Sequence, residues 1–280
     1  MKQTGFFTEE NRLSRLSRMG DPLERIASAV NFDVFFPILN GVIRKEVSPL
    51  GGRPQWDCVL MFKILLLQQW YNIADDKTEY LINDRLSFQR FLGLTLGDKV
   101  PDAKTIWLFR ENLKKSGVYD ELFSLFERQM ESRGVITRSG SIIDASFVDV
   151  SKQRNTREEN RQIKDGDSSG LWKDNDHKCS QKDLDARWAK KNDERHYGYK
   201  DHVKVDRDSK MIVGYSVTDA SVHDSQEAEG LIDGKDKEAS LDSAYAGEEL
   251  RMALLKKNPD LRLKIIERSY RNKPLTEEQK

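Results

Sequence analysis

The stretch Gly140-Ser141-Ile142-Ile143-Asp144-Ala145-Ser146-Phe147-Val148-Asp149-Val150 decides how the chain is read. Its β-branched and aromatic run has the composition of a buried strand. A carboxylate nevertheless stands in its middle, where an unpaired charge is costly. Such a charge calls for a cation. A second stretch repeats the arrangement: in Ala239-Ser240-Leu241-Asp242-Ser243-Ala244-Tyr245-Ala246-Gly247, a short strand reaches Asp242, then a small-residue turn, then a charged amphipathic run. Two strand-borne aspartates of this kind can converge on one divalent metal.

The chain around them alternates between strand and helix signals. Two β-branched runs, 199–205 and 211–217, flank the polar turn Asp206-Arg207-Asp208-Ser209 and predict a hairpin. Asp224 suits an N-cap for a helix carrying Leu231 and Ile232. After the Asp242 strand, a helix is expected over 248–257 and a last strand over 261–266. The sum is α/β, a mixed sheet with flanking helices in the element order of a ribonuclease-H-like fold.

Residues 151–198 interrupt this order. They are dense in Lys, Arg, Asp, Glu, Asn and Ser and poor in aliphatics, so they read as a long surface insertion with one short helix over 183–191. Arg154, Arg157, Arg161, Lys164, Lys173, Lys178 and Lys182, with Trp172 and Trp188, are suited to tracking a phosphate backbone and stacking on bases. A solvated charged loop explains the same residues equally well.

Residues 1–138 carry helical periodicity throughout and predict an all-α N-terminal domain. Asp21-Pro22 supplies an N-cap and N1 pair. Ser48-Pro49-Leu50-Gly51-Gly52-Arg53-Pro54 reads as a compact loop, after which Asp57 caps a run from Cys58 to Tyr71 that is apolar nearly all round and therefore central to its domain. Shorter helices follow over 76–82 and 87–91. Asp102 then caps a helix that is expected to carry Lys104 and Arg110 outside and to pack Ile106, Trp107, Phe109 and Leu113. A further amphipathic helix covers 119–130. Several short helices with a capped one late in the order are compatible with a helix-turn-helix DNA reader, but the spacing is a weak signal and a plain bundle explains the same pattern better.

The 280 residues suffice for two domains, each with its own core. Lys and Arg number 47 and Asp and Glu 47, so any nucleic-acid surface has to come from local segregation of charge rather than from a basic whole. Cys58 and Cys179 stand in unlike contexts and read as two free thiols of a reducing compartment. His177 beside Cys179 lacks two further ligands for zinc. The apolar patch at the N-terminus is too short for a signal segment, and Val59 to Trp70 is interrupted by Lys63 and too short to span a bilayer. The expectation is a cytoplasmic protein with no membrane partner.

Several of these blocks, in their order along the chain, resemble a known family. Pro101-Asp102-Ala103-Lys104-Thr105-Ile106-Trp107-Leu108-Phe109-Arg110 resembles the signature near the end of the N-terminal domain of insertion-sequence transposases of the IS5 type. Ile143-Asp144-Ala145-Ser146, Gly198-Tyr199-Lys200, Val217-Thr218-Asp219-Ala220-Ser221-Val222-His223-Asp224-Ser225 and Leu241-Asp242-Ser243-Ala244-Tyr245 resemble successive blocks of their DDE catalytic domain.

The resemblance implies DNA transposition by a catalytic core over residues 139–280 that holds two Mg2+ ions, with Mn2+ as a substitute. The double-stranded partners would be the terminal inverted repeats of the element and its target DNA, bound by a homo-oligomer, with the N-terminal domain on the DNA ends. Asp144 takes the place of the first metal-binding acid and Asp242 of the second. The third is a glutamate on a helix after the last strand, within a Tyr, Arg, Glu, Lys pattern. The sequence ends before such a pattern. Glu277 and Glu278 lie in a stretch that resembles the linker ahead of it, and neither takes the role. The chain thus reads as C-terminally truncated before the third acid, with strand cleavage strongly reduced or absent. The alternative is a non-catalytic DNA-binding remnant that represses transposition.

Among the other polar residues, Tyr199 and Lys200 on the hairpin join Lys104 and Arg110 as candidate DNA contacts, against the reading that they are simply solvated. His223-Asp224 caps a helix or supports the metal-binding acids from behind. Asp149, five residues past Asp144, falls on the opposite strand face and reads as a strand-end residue.

Overall fold

The computed structural model describes residues 8–43, 55–167, 170–191 and 193–266. The loop read over 48–54 and the acids Glu277 and Glu278 lie outside them. The chain divides into two compact units, Met1–Arg133 and Gly134–Lys280.

In the first unit the described regular elements are helices: α1 (Thr8–Arg18), α2 (Pro22–Ala29), α3 (Phe36–Ile43), α4 (Cys58–Tyr71), α5 (Asp75–Asp84), α6 (Leu86–Leu92), α7 (Ala103–Ser116) and α8 (Tyr119–Ser132), with a 3-10 turn at Phe32–Phe35. Three of the starts are fixed by aspartates whose side chains accept from the first turn: Asp21 from the Leu23 amide, Asp57 from Leu60 and Asp102 from Thr105. Helix α4 runs through the core, where Met61, Ile64 and Leu67 meet Leu23, Leu39, Phe88, Ile106 and Leu113. Lys63 is accommodated within this apolar helix because its ammonium donates to the Phe91 carbonyl at 3.0 Å and lies over the Phe32 and Phe91 rings. Burial pulls its pKa down. Trp107, expected in the core, is 52% exposed on the outer face of α7, because Ile106, Phe109 and Leu113 already fill the inner one.

The second unit is built on one six-stranded sheet: β1 (Ser141–Asp149), β2 (Arg187–Lys191), β3 (Glu194–Asp206), β4 (Ile212–Asp219), β5 (Glu238–Leu241) and β6 (Arg262–Ile265). The long β3 lies antiparallel to β1 along one side, while its first residues pair with β2 and the rest with β4. On the other side of β1, β5 and then β6 run parallel to it. Helices α11 (Asp224–Leu231) and α12 (Glu248–Lys257) share one apolar cluster with the sheet through Ile143, Leu231, Ile232, Ala239, Leu241 and Leu254. The sheet is therefore mixed, with helices against it.

Residues 151–198 hold more structure than their composition predicts. Helix α9 (Arg157–Lys164) starts with a reciprocal capping box between Thr156 and Glu159 and buries Ile163, and α10 (Asp176–Ser180) follows. Where a short helix was expected over 183–191, the chain forms β2. Its residues find partners from Gly198 back to Glu194 on β3, and Trp188 packs on Tyr197 with ring centroids 5.0 Å apart. Pairing across the hairpin outweighs the local helical pattern. Gly198 sits where β3 meets β1 and β2 together. Its φ is 151°, and a Cβ there would collide with the Val148 carbonyl, so only glycine lets the strands close.

Candidate active site

The parallel register of β1 and β5 ends with Ile143 opposite Leu241. Both side chains are buried in the helix-side core, 1% and 2% exposed. The next residue in each strand path is an aspartate. Asp144 continues β1 and is exposed, as strand alternation requires after a buried isoleucine. Asp242 leaves β5 in an extended conformation and caps the 3-10 turn Ser243–Tyr245. The two acids thus each follow directly on one member of the last paired residues, Ile143 and Leu241, of adjacent parallel strands.

Each carboxylate is steadied by its own backbone. Oδ1 of Asp144 accepts from the Ala145 amide and Oδ1 of Asp242 from the Ala244 amide, both at 2.8 Å. Among the described residues neither Oδ2 has a protein donor. Two hard oxygens with spare lone pairs fit a cation such as Mg2+, which binds through one or two carboxylates and keeps waters and substrate phosphates in its remaining positions. Among the described residues no group of three or more His, Cys, Asp or Glu is placed to hold a metal.

Two further residues complete this neighbourhood. Tyr245, at the end of the turn that Asp242 caps, is 1% exposed, and its hydroxyl has no hydrogen-bond partner. Burial raises its pKa, and the charges of Asp224, Asp144 and Asp242 push it further, so all three carboxylates lie within electrostatic reach of the phenol. Asp224, the first residue of α11, is itself paired with the Lys200 ammonium at 2.7 Å. Lys200 also donates to the Val222 carbonyl and lies over the Phe147 ring.

The expected DNA contacts are distributed differently. Lys104 is exposed on α7. Arg110 is turned inward, binding both carboxylate oxygens of Asp75 and, at 2.8 Å, the Gln68 side chain, so that it ties α4, α5 and α7 together. The Tyr199 hydroxyl donates to Asp183 at 2.7 Å, and its pKa is raised by burial first and by Asp183 next. Lys200 is 8% exposed rather than presented on the hairpin surface. His223, not Asp224, is the N-cap of α11, its ring accepting from the Ser225 amide at 3.3 Å. Asp149 lies 3.3 Å from the His196 ring. Cys58 and Cys179 are both free. The burial of Tyr245 and the Lys200–Asp224 pair are not foreseen in the sequence, where the one available signal is a bulky phenol in an otherwise small-residue turn.

The family model described as a transposase DDE domain matches residues 136–280, more than half of the chain. The chain belongs to the transposase DDE-domain family. A second model, the transposase domain DUF772, matches residues 10–112 of this DDE-domain protein. Among solved structures, it is similar to a piggyBac transposase seen by cryo-EM in a synaptic complex with hairpin DNA, at 16% identity and a TM-score of 0.37, over 87% of this chain and 51% of that one. The DDE-domain chain thus spans about half the length of that relative. No helix among its described residues is long and apolar enough to cross a membrane.

Proposed function

We propose that this protein is a DNA transposase of the IS5 type whose second unit is a ribonuclease-H-like core acting on phosphodiester bonds at the ends of its element. The observation that carries the reading is the register of β1 and β5, whose last pair, Ile143 and Leu241, is followed in each chain segment by an aspartate. The order of the sheet supports it: an antiparallel trio β1, β3 and β4 is followed by β5 and β6 parallel to β1.

In this reading Asp144 and Asp242 hold divalent cations, Mg2+ or Mn2+ in its place. Bound there, the metal supplies activation of the attacking oxygen and stabilisation of the leaving 3′ oxygen in an in-line displacement. The protein's own part is to hold the two carboxylates in place through the Ala145 and Ala244 amides and to offer their free oxygens. The Lys200–Asp224 pair braces the start of α11 beside them. The partners are double-stranded DNA, as terminal inverted repeats and as target, bound by an oligomer of this chain in the cytoplasm. Lys104 on α7 supplies a phosphate contact from the first unit.

A supercoiled-plasmid nicking assay with Mg2+ or Mn2+ tests this reading. Nicking that depends on the metal is expected, and Asp144→Asn or Asp242→Asn is expected to remove it. Metal-dependent cutting that survives both substitutions would overturn it. Among the described residues no group of three or more His, Cys, Asp or Glu is placed to hold a metal, which favours a second reading, a DNA-binding protein that occupies element ends without cutting and represses transposition. Binding to inverted-repeat DNA with no nicking in either metal would select it.

A further inference from the structure

The Tyr245 hydroxyl is the one tyrosine oxygen among the described residues that is fully buried without a hydrogen-bond partner. Buried polar atoms left unsatisfied are rare in folded proteins because each has given up water for nothing. A phenylalanine would fill the same volume in the cluster of Ile143, Leu241 and Leu254 and avoid that loss. A tyrosine at this position therefore needs a use for its oxygen.

Its surroundings specify what that use is. Tyr245 ends the turn that Asp242 begins and caps, and α11, which opens with Asp224, packs against that turn. The charges of three carboxylates, Asp224, Asp144 and Asp242, act on the phenol, and Asp224 is itself paired with Lys200. In such a field a hydroxyl serves as a donor. Asp224 has committed an oxygen to Lys200, whereas among the described residues Asp144 and Asp242 each keep one oxygen without a protein donor.

We propose that Tyr245 is a positioning residue for the Asp144–Asp242 pair: its buried hydroxyl donates to one of their free carboxylate oxygens and holds the pair in the orientation that receives a divalent cation. This inference rests on reading that pair as the metal site. Donation by the hydroxyl offsets part of the repulsion between two neighbouring anions. It fixes which lone pairs remain for a metal, as partners behind metal ligands do elsewhere.

Mn2+ binding to the full 280-residue chain, followed by electron paramagnetic resonance, tests the proposal alongside thermal unfolding without metal. Tyr245→Phe is expected to unfold at the same temperature as wild type or a higher one, yet to bind Mn2+ about ten-fold more weakly or worse. Asp144→Asn and Asp242→Asn are expected to lose binding outright. Wild-type affinity in Tyr245→Phe, with binding lost in both aspartate variants, would leave the metal site standing and remove Tyr245 from it. A lower unfolding temperature in Tyr245→Phe without metal would make the hydroxyl a structural group and equally overturn the proposal. Unchanged binding in the aspartate variants, or none in the wild type, would remove the metal site and the proposal together.

Discussion

Lys204 and Asp236 form an ion pair inside the second unit at 3.1 Å, with side chains 1% and 3% exposed. Asp233 stands 3.2 Å from the same ammonium and also receives Arg138. Despite its burial, which works the other way, the charge of Lys204 holds the Asp233 carboxyl below the usual range. The pair fastens β3 to the loop between α11 and β5, and so to the strand that delivers Asp242. Removing one partner strands a buried charge. Lys204→Met is expected to cost about 3–5 kcal/mol in urea unfolding, and a double variant that also makes Asp236 apolar to recover much of it.

Arg110 looks like a DNA contact in sequence and acts as a brace in the structure. Arg110→Ala is expected to lower the stability of the first unit by about 1–2 kcal/mol, through the loss of its bonds to Asp75 and Gln68. The hydrogen bond from Arg110 is the main cause of the depressed pKa of Asp75. A carboxylate depressed in the folded state contributes stability that is complete above its unfolded pKa of about 4 and is lost as pH falls through the lower folded value. Acid unfolding of the Asp75→Asn variant should therefore begin from a lower stability at neutral pH and show a shallower decline below about pH 4.

His202 sets a second pH dependence, at higher pH. It is fully buried on β3, with Nε2 2.9 Å from the Thr218 hydroxyl. Burial lowers its pKa, against the opposing charges of Asp224, Glu227 and Asp201 and with the help of Lys200. The folded protein thus keeps the ring neutral where the unfolded chain would bind a proton. Its contribution is complete above an unfolded pKa of about 6.5 and declines as pH falls towards the lower folded value. Urea midpoints measured between about pH 7.5 and 5 should decrease, and His202→Gln should flatten that slope.

Gly198→Ala is expected to destabilise the second unit by about 3 kcal/mol. The added Cβ meets the Val148 carbonyl, a backbone atom that cannot move without breaking the β1–β3 pairing beside Asp149. Loss of Mn2+ binding in step with unfolding, rather than ahead of it, would check that the effect travels through the strands.

What the sequence discloses and what it hides divide along physical lines. Asp21, Asp57 and Asp102 announce their helices because a cap is satisfied within three residues. The helix over Glu248–Lys257 and the two aspartate-bearing strands are legible for the same reason: their signals are local. Strand β2 is not, since what makes it a strand is Tyr197 and its neighbours across a turn. Arg110 and Lys200 mislead because a charge on a line of text carries no sign of its partner, which for one is Asp75 on another helix and for the other Asp224 beyond a strand. The shift of the α11 cap from Asp224 to His223 frees Asp224 for Lys200, a choice between neighbours that only the packing makes.

Because β5 lies beside β1 while β3, β4 and α11 come between them in the chain, the two aspartates have no local route to each other. During synthesis, a polypeptide that has emerged only as far as Leu231 already displays Asp144 but owns half a site. The two carboxylates can be neighbours only once β5 has docked on β1, so the site proposed above is completed late in folding.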